Sequence, residues 1–130
     1  MIILALDIGS SKTGLAISHG IIAEPLLSLD SRKLEVLAEK LLIICREQKV
    51  DLIVVGLPLG RDQNETAQSI KARKVADEIA RRLKIKMAFV DESFSTSQAL
   101  RDGRTTDKKF DEDAQSARII LEQYLAENGD

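Results

Sequence analysis

A single cysteine, Cys45, stands among 130 residues, so no internal disulfide can form. Cys45 falls on the apolar stripe of an expected helix, which reads as a buried, inert thiol. There is one histidine and no cysteine near it in sequence, which excludes a zinc site of the usual nitrogen and sulfur ligands. Tryptophan is absent and aromatics make up only 3% of the chain, so the core is aliphatic and no base-stacking platform is visible. Positive charge is not in excess: 19 Lys and Arg face 21 Asp and Glu, for a net charge of −2. A nucleic-acid partner would need a local basic patch or a metal bridge. No apolar run reaches membrane-spanning length, and Asp7 interrupts the N-terminal one. A cytoplasmic protein without a leader or a membrane partner is the expectation.

What is present fits one domain over residues 1–130, with 44% hydrophobic residues to build its core. Residues 2–7 read as a buried strand, and Gly9 to Gly14 as a turn with glycine at both ends. Residues 15–18 and 21–28 give two further strands, an antiparallel meander with the first. His19 falls in the turn between them. Asp30-Ser31 is expected to cap a helix on which Leu34, Leu37, Ala38, Leu41, Leu42 and Cys45 recur at helical spacing. Residues 51–57 form an apolar fourth strand of the central kind. Pro58 to Gln63 form a loop, with Gly56 permitting a tight turn before it. A helix over about 65–83 and a strand over about 85–91 follow. Ser95 to Leu100 reads as a short helix, residues 101–109 as a polar loop. A last helix starts near Asp111 or Glu112 and ends near Glu127. The order βββαβαβα predicts a mixed five-stranded α/β sheet with helices on both faces.

Three acidic residues end or begin these elements. Asp7 closes the first strand, Glu92 follows the fifth, and Asp113 opens the last helix. An acid at the end of a central strand lies where open α/β sheets bind ligands. Asp91 and Glu92 point to opposite faces if their strand continues, so only one of them faces a site. Asp113 shares a helical stripe with Ala117, Ile120, Leu121 and Tyr124, which turns it inward. Each also has a plain structural role to play: a hairpin residue, a solvated turn, a carboxylate at a helix dipole. Together they form an oxygen-rich set suited to a divalent ion and to phosphodiester hydrolysis.

The segments Asp7-Ile8-Gly9-Ser10-Ser11-Lys12-Thr13-Gly14, Val54-Val55-Gly56-Leu57-Pro58-Leu59, Val90-Asp91-Glu92-Ser93 and Asp113-Ala114-Gln115-Ser116-Ala117-Arg118, in this order and spacing, resemble the YqgF/RuvX family. Ala72-Arg73-Lys74 also matches a typical family run. Members are described as Holliday junction resolvases and as nucleases for the precursor of small-subunit ribosomal RNA. The resemblance implies a ribonuclease H-like fold. It implies that Asp7, Glu92 and Asp113 are the catalytic and metal-binding acids, and it selects Glu92 over Asp91. It places Lys12 at a usually basic position. The chain departs from the family at Ser93, where arginine is usual, and at Gln63, where glycine is common.

The expected activity is metal-dependent phosphodiester cleavage, with Asp7 bridging two Mg²⁺ or Mn²⁺ ions and Glu92 and Asp113 completing the shell. Lys12, Arg61, Arg73, Lys108 and Lys109 are candidate phosphate contacts, each equally readable as solvated surface charge. The implied partners are precursor ribosomal RNA or branched DNA, with ribosomal particles as a further one. A resolvase cuts two equivalent strands and should act as a symmetric dimer. No clear dimer stripe is visible, which fits a monomer or weak homodimer and favours 5′-end processing of pre-16S ribosomal RNA. The alternatives are a Holliday junction resolvase and a non-catalytic ribosome-assembly factor. A nucleotide-phosphate binder, prompted by the first hairpin, lacks the second such hairpin that would enclose a nucleotide.

Overall fold

The computed structural model describes residues 1–59, 64–92 and 111–128. Its elements follow the expected order: β1 (Ile3–Ile8), β2 (Lys12–Ser18), β3 (Ala23–Asp30), α1 (Leu34–Gln48), β4 (Leu52–Pro58), α2 (Ala67–Leu83), β5 (Lys86–Glu92) and α3 (Glu112–Asn128). The strands form one sheet in the order β3-β2-β1-β4-β5. β1, β2 and β3 are antiparallel neighbours, while β1, β4 and β5 run parallel. The C-terminal ends of β1, β4 and β5 therefore lie along one edge.

Strand alternation sorts the core into two layers. Leu4, Leu6 and Ile8 of β1, with Ile53, Val55 and Leu57 of β4, pack under α1 and α2. Ile3 and Ala5, with Leu52, Val54 and Val90, pack under Ala117, Ile120 and Leu121 of α3. Both faces of β1 and β4 are thus covered, which is why these strands read as unbroken apolar runs.

Several boundaries differ from the sequence expectation. β2 begins at Lys12 rather than Leu15, so Lys12, Thr13 and Gly14 are strand residues: Thr13 and Gly14 pair with both β1 and β3, and Lys12 with Asp30 of β3. The turn shrinks to Gly9–Ser11 and is closed by the Gly9 N–H donating to the Lys12 carbonyl (2.9 Å). Ile21 and Ile22 are not in β3: they are 89% and 70% exposed in the β2–β3 turn, beside His19. Asp30 and Ser31 do not cap α1, whose N-cap is Lys33 without a side-chain cap. Asp30 instead accepts from the Arg32 N–H (2.9 Å), and the Ser31 hydroxyl donates to the Gly9 carbonyl (2.8 Å), tying the β3–α1 connection to the first turn. α2 has the stronger start, a reciprocal capping box between Thr66 and Ser69. Cys45 is buried as expected, and burial pushes its thiol up to about 11. The short helix expected over Ser95 to Leu100 and the polar stretch after it lie outside the described residues.

Candidate active site

The expected site residues are set by alternation and by two glycines. On β1, Ile3, Ala5 and Asp7 share the face covered by α3, so the Asp7 side chain leaves the sheet on that face. β5 continues through Glu92. Ala88 and Val90 belong to the α3 layer, and two residues on, Glu92 follows them. Met87 packs on the other layer, and Asp91 shares its parity. Of the two adjacent acids, Glu92 is the one on the face of Asp7.

Asp113 reaches this corner through α3. The helix crosses β2, β1 and β3, and its first turn lies directly on Gly14. A β-carbon at Gly14 would overlap the Asp113 carbonyl and come within 2.9 Å of the Ala114 nitrogen. Gly14 is the cross-strand partner of Asp7. The helix backbone at Asp113 and the strand backbone at Asp7 therefore meet over one residue pair. Further along α3, a β-carbon at Gly56 would collide with the Ile120 side chain. The two glycines, expected at a turn, sit inside strands and give α3 clearance to pack close; a glycine within a strand often marks such an approach.

Asp111, read from the sequence as a start of this helix but not as its link to β3, holds the helix there. Asp111 Oδ1 accepts from the Asp113 and Ala114 N–H groups (3.0 and 3.2 Å), an N-cap, while Oδ2 accepts from the Ser28 hydroxyl of β3 (2.5 Å). Partial burial opposes ionisation of Asp111. The hydrogen bonds from Ser28, Ala114 and Asp113, with the Lys12 charge, outweigh it and hold the carboxyl below its ordinary value. An aspartate two residues before an inward acid at a helix start is the signal that marks such a cap.

Lys12 is exposed on the same face, two residues before Gly14 on β2. Arg73 is not at this corner. It lies on α2, on the opposite side of the sheet, bonded to Glu65 (2.6 Å) and stacked 5.2 Å from the Phe89 ring centroid. Arg61, Lys108, Lys109, Ser93 and Gln63 lie outside the described residues. Asp7, Glu92 and Asp113 share one face and one end of the sheet, at the carboxyl ends of the parallel strands. Among the described residues, no three acidic, histidine or cysteine side chains are gathered closely enough to hold an ion by themselves. The donor chemistry, hard carboxylate oxygen throughout, suits Mg²⁺ or Mn²⁺. Mg²⁺ is often held by one or two carboxylates together with substrate phosphates rather than by an all-protein cage.

A family model described as RuvX, Holliday junction resolvase, matches residues 1–127. The chain belongs to the RuvX family. Relatives of the chain bear the name "Putative pre-16S rRNA nuclease". That of Maridesulfovibrio salexigens is 35% identical over 97% of this chain and 98% of its own length. That of Fusobacterium nucleatum is 34% identical, over 94% of both chains. Among solved structures, Thermus thermophilus RuvC in complex with a Holliday junction substrate superposes with a TM-score of 0.66 at 15% identity, covering 99% of this chain and 97% of that one. This likeness establishes the fold of the RuvX chain as ribonuclease H-like. No helix among its described residues is long and apolar enough to cross a membrane.

Proposed function

We propose that this chain is a cytoplasmic, single-domain, divalent-metal-dependent nuclease that cleaves phosphodiester bonds in 5′-end processing of pre-16S ribosomal RNA. The observation that carries the reading is the shared placement of Asp7, Glu92 and Asp113, one face and one end of the sheet, with the α3 backbone seated on the partner of Asp7. RuvX membership and the names of the relatives support it.

Asp7, Glu92 and Asp113 would hold Mg²⁺ or Mn²⁺. Such an ion lowers the pKa of a water to make a nucleophile and offsets charge on the phosphate. The residues around it have their own tasks. Asp7 is fixed by a strand paired on both sides, and Asp113 by a capped helix start. Preorganisation of this kind removes the cost of bringing the groups together at the moment of reaction. Lys12 offers an ammonium to a phosphate oxygen on the same face, and it balances Asp111 when no strand is present.

A second reading, a Holliday junction resolvase, is favoured by the family description and differs in substrate rather than site. The deciding experiment is cleavage of pre-16S ribosomal RNA and of a four-way DNA junction, each with Mn²⁺, by the native chain and by Asp7→Asn. Precursor cleavage is expected from the native chain and at least a hundredfold less from the variant, the order lost when an electrostatic group at the reacting centre is removed. The variant should unfold at the native urea concentration. Undiminished activity in Asp7→Asn would remove the assignment, and junction cleavage alone would select the resolvase. Binding without cleavage of either would leave an assembly factor.

A further inference from the structure

A cleft of about 360 Å³ opens on the α1/α2 side of the sheet, behind the β1–β2 turn. Its floor is apolar, built from Ile8, Leu34, Ala72 and Val75. Its rim is polar: Ser10 comes from the turn, Arg32 from the β3–α1 connection, and Gln68 and Lys71 from α2. Ile8 directly follows Asp7, and consecutive strand residues point to opposite faces. The cleft therefore lies straight behind the Asp7 carboxylate, at the same end of the sheet and around the same turn.

Among the described residues, the lining contains two cations and no carboxylate. Arg32 is held by Asp30 at 3.0 Å, so the uncompensated charge of the rim is that of Lys71, which forms no ion pair with any described residue. Beside the floor, Thr13 is the direct partner of Ile8 and is fully buried, and its hydroxyl has no hydrogen-bond partner among the described residues. Buried hydroxyls are seldom left so. An apolar floor has no use for a bare inorganic anion, and a cationic rim none for a plain hydrocarbon. The combination fits a flat, weakly polar ring with an attached phosphate. The volume is near the lower end of the roughly 300–1,000 Å³ of small-ligand sites, enough for one nucleotide and too little for a duplex.

We propose that this cleft receives one unpaired nucleotide of the strand that flanks the cut, its base on Ile8, Leu34 and Val75 and its phosphate against Lys71. The strand rounds the β1–β2 turn between the carboxylates and the cleft. The proposal rests on the nuclease reading only in naming that strand as the one cut. No aromatic lines the floor among the described residues, so the base is held by aliphatic contact, with little sequence preference.

The chain has no tryptophan, so Gln68→Trp, at an exposed rim position, supplies a unique fluorophore. Single-stranded RNA of about ten nucleotides and free 5′-AMP or 5′-UMP are titrated separately into this variant, made in an Asp7→Asn background so that nothing is cut. A saturable emission change with RNA, and a much weaker one with mononucleotide, is expected. Equal or tighter mononucleotide binding would mean a free-nucleotide site and overturn the strand assignment; no saturable change with either would overturn the cleft as a site. Anisotropy of labelled RNA on the otherwise native chain gives an independent measurement without the reporter. Lys71→Glu should weaken RNA binding about tenfold, and Lys71→Ala should lower the salt slope by about one. Lys74→Glu, an equal charge reversal on the same helix outside the cleft, should change binding less than about twofold. Equal losses at positions 71 and 74 would reduce the effect to bulk charge and end the proposal. These are binding measurements, so a protein that binds as expected but cuts nothing refutes the nuclease reading and leaves the cleft standing, and the converse result does the opposite.

Discussion

At the scale of single residues, the site depends on an atom that is missing. Gly14 lacks the β-carbon that would occupy the space of the Asp113 backbone. A backbone obstacle cannot rotate away, so Gly14→Ala must push the first turn of α3 off the sheet. Overpacking of this kind costs about 1–3 kcal/mol, and here the upper end is expected. Gly56→Ala meets only side-chain atoms of Ile120, Cδ1 and Cγ1 foremost, which can shift where a backbone cannot, and should cost about 1 kcal/mol. Urea denaturation of the two variants gives the comparison directly. Equal costs, or a loss under about 1 kcal/mol for Gly14→Ala, would show that α3 does not rest on Gly14 as described. Neither glycine's role was legible beforehand, because Gly9 and Gly14 frame an equally good turn and nothing local says that a helix some hundred residues later lands on the second. Asp113 was more legible, since its apolar stripe is written in the helix itself. Glu92 needed only the length of β5: once the strand reaches Glu92, parity separates it from Asp91.

At the scale of elements, α3 is the part that must be held, and its start depends on Asp111. The N-cap and the bond to Ser28 join the start of the helix, where Asp113 lies, to β3 through one side chain. Asp111→Ala should cost about 1 kcal/mol, the usual effect of losing a cap. Asp111→Asn keeps the cap's acceptor but not its charge, which isolates the pH dependence. The folded-state pKa of Asp111 is depressed below its ordinary 3.8, so its charge-linked stabilisation is present above that value and is lost as pH falls through the lower folded value. The native chain should therefore exceed Asp111→Asn in stability at pH 7, and the gap should narrow on acidification below about pH 4. A gap of constant size from pH 7 to pH 3 would show that the charge contributes nothing. The two other helices end on strained residues instead: Lys49 after α1 and Lys84 after α2 adopt left-handed conformations, with φ of 58° and 56°. Glycine is the residue that takes this conformation freely. Lys84→Gly should add about 0.5–1 kcal/mol by thermal denaturation, and a loss would show that the lysine's helix-end charge outweighs its backbone strain. The helices themselves were readable from their apolar spacing, but the cap of α1 was misplaced. Asp30 and Ser31 have the right chemistry for capping, yet their partners are a neighbouring N–H and the carbonyl of Gly9, which tertiary structure brought close.

At the scale of the whole molecule, the three acids and the cationic cleft lie on opposite faces of the sheet, the acids toward α3 and the cleft toward α1 and α2. The order βββαβαβα was legible because each element carries its own period and its own turn residues. The cleft was not, because its lining joins three segments that are far apart in the chain. The same distinction governs how the metal should behave. The three acids are placed together by the fold but are not gathered into a closed cage among the described residues, so substrate phosphates should complete the coordination. Metal alone should then bind weakly and stabilise the chain only by mass action. At a free concentration ten times the dissociation constant this amounts to about 1.4 kcal/mol, or a rise of a few degrees in Tm. Asp7→Asn should show no such rise. A nucleic acid that binds but is not cut further, such as the cleavage product with its phosphate oxygens intact, should tighten the metal, and metal should tighten the strand by the same factor, since the coupling between two bound ligands is reciprocal. Titrations of Mg²⁺ followed by Tm, with and without the strand, measure that factor. A factor of one would mean that ion and phosphate do not meet, and the acids would then be structural neighbours rather than one site.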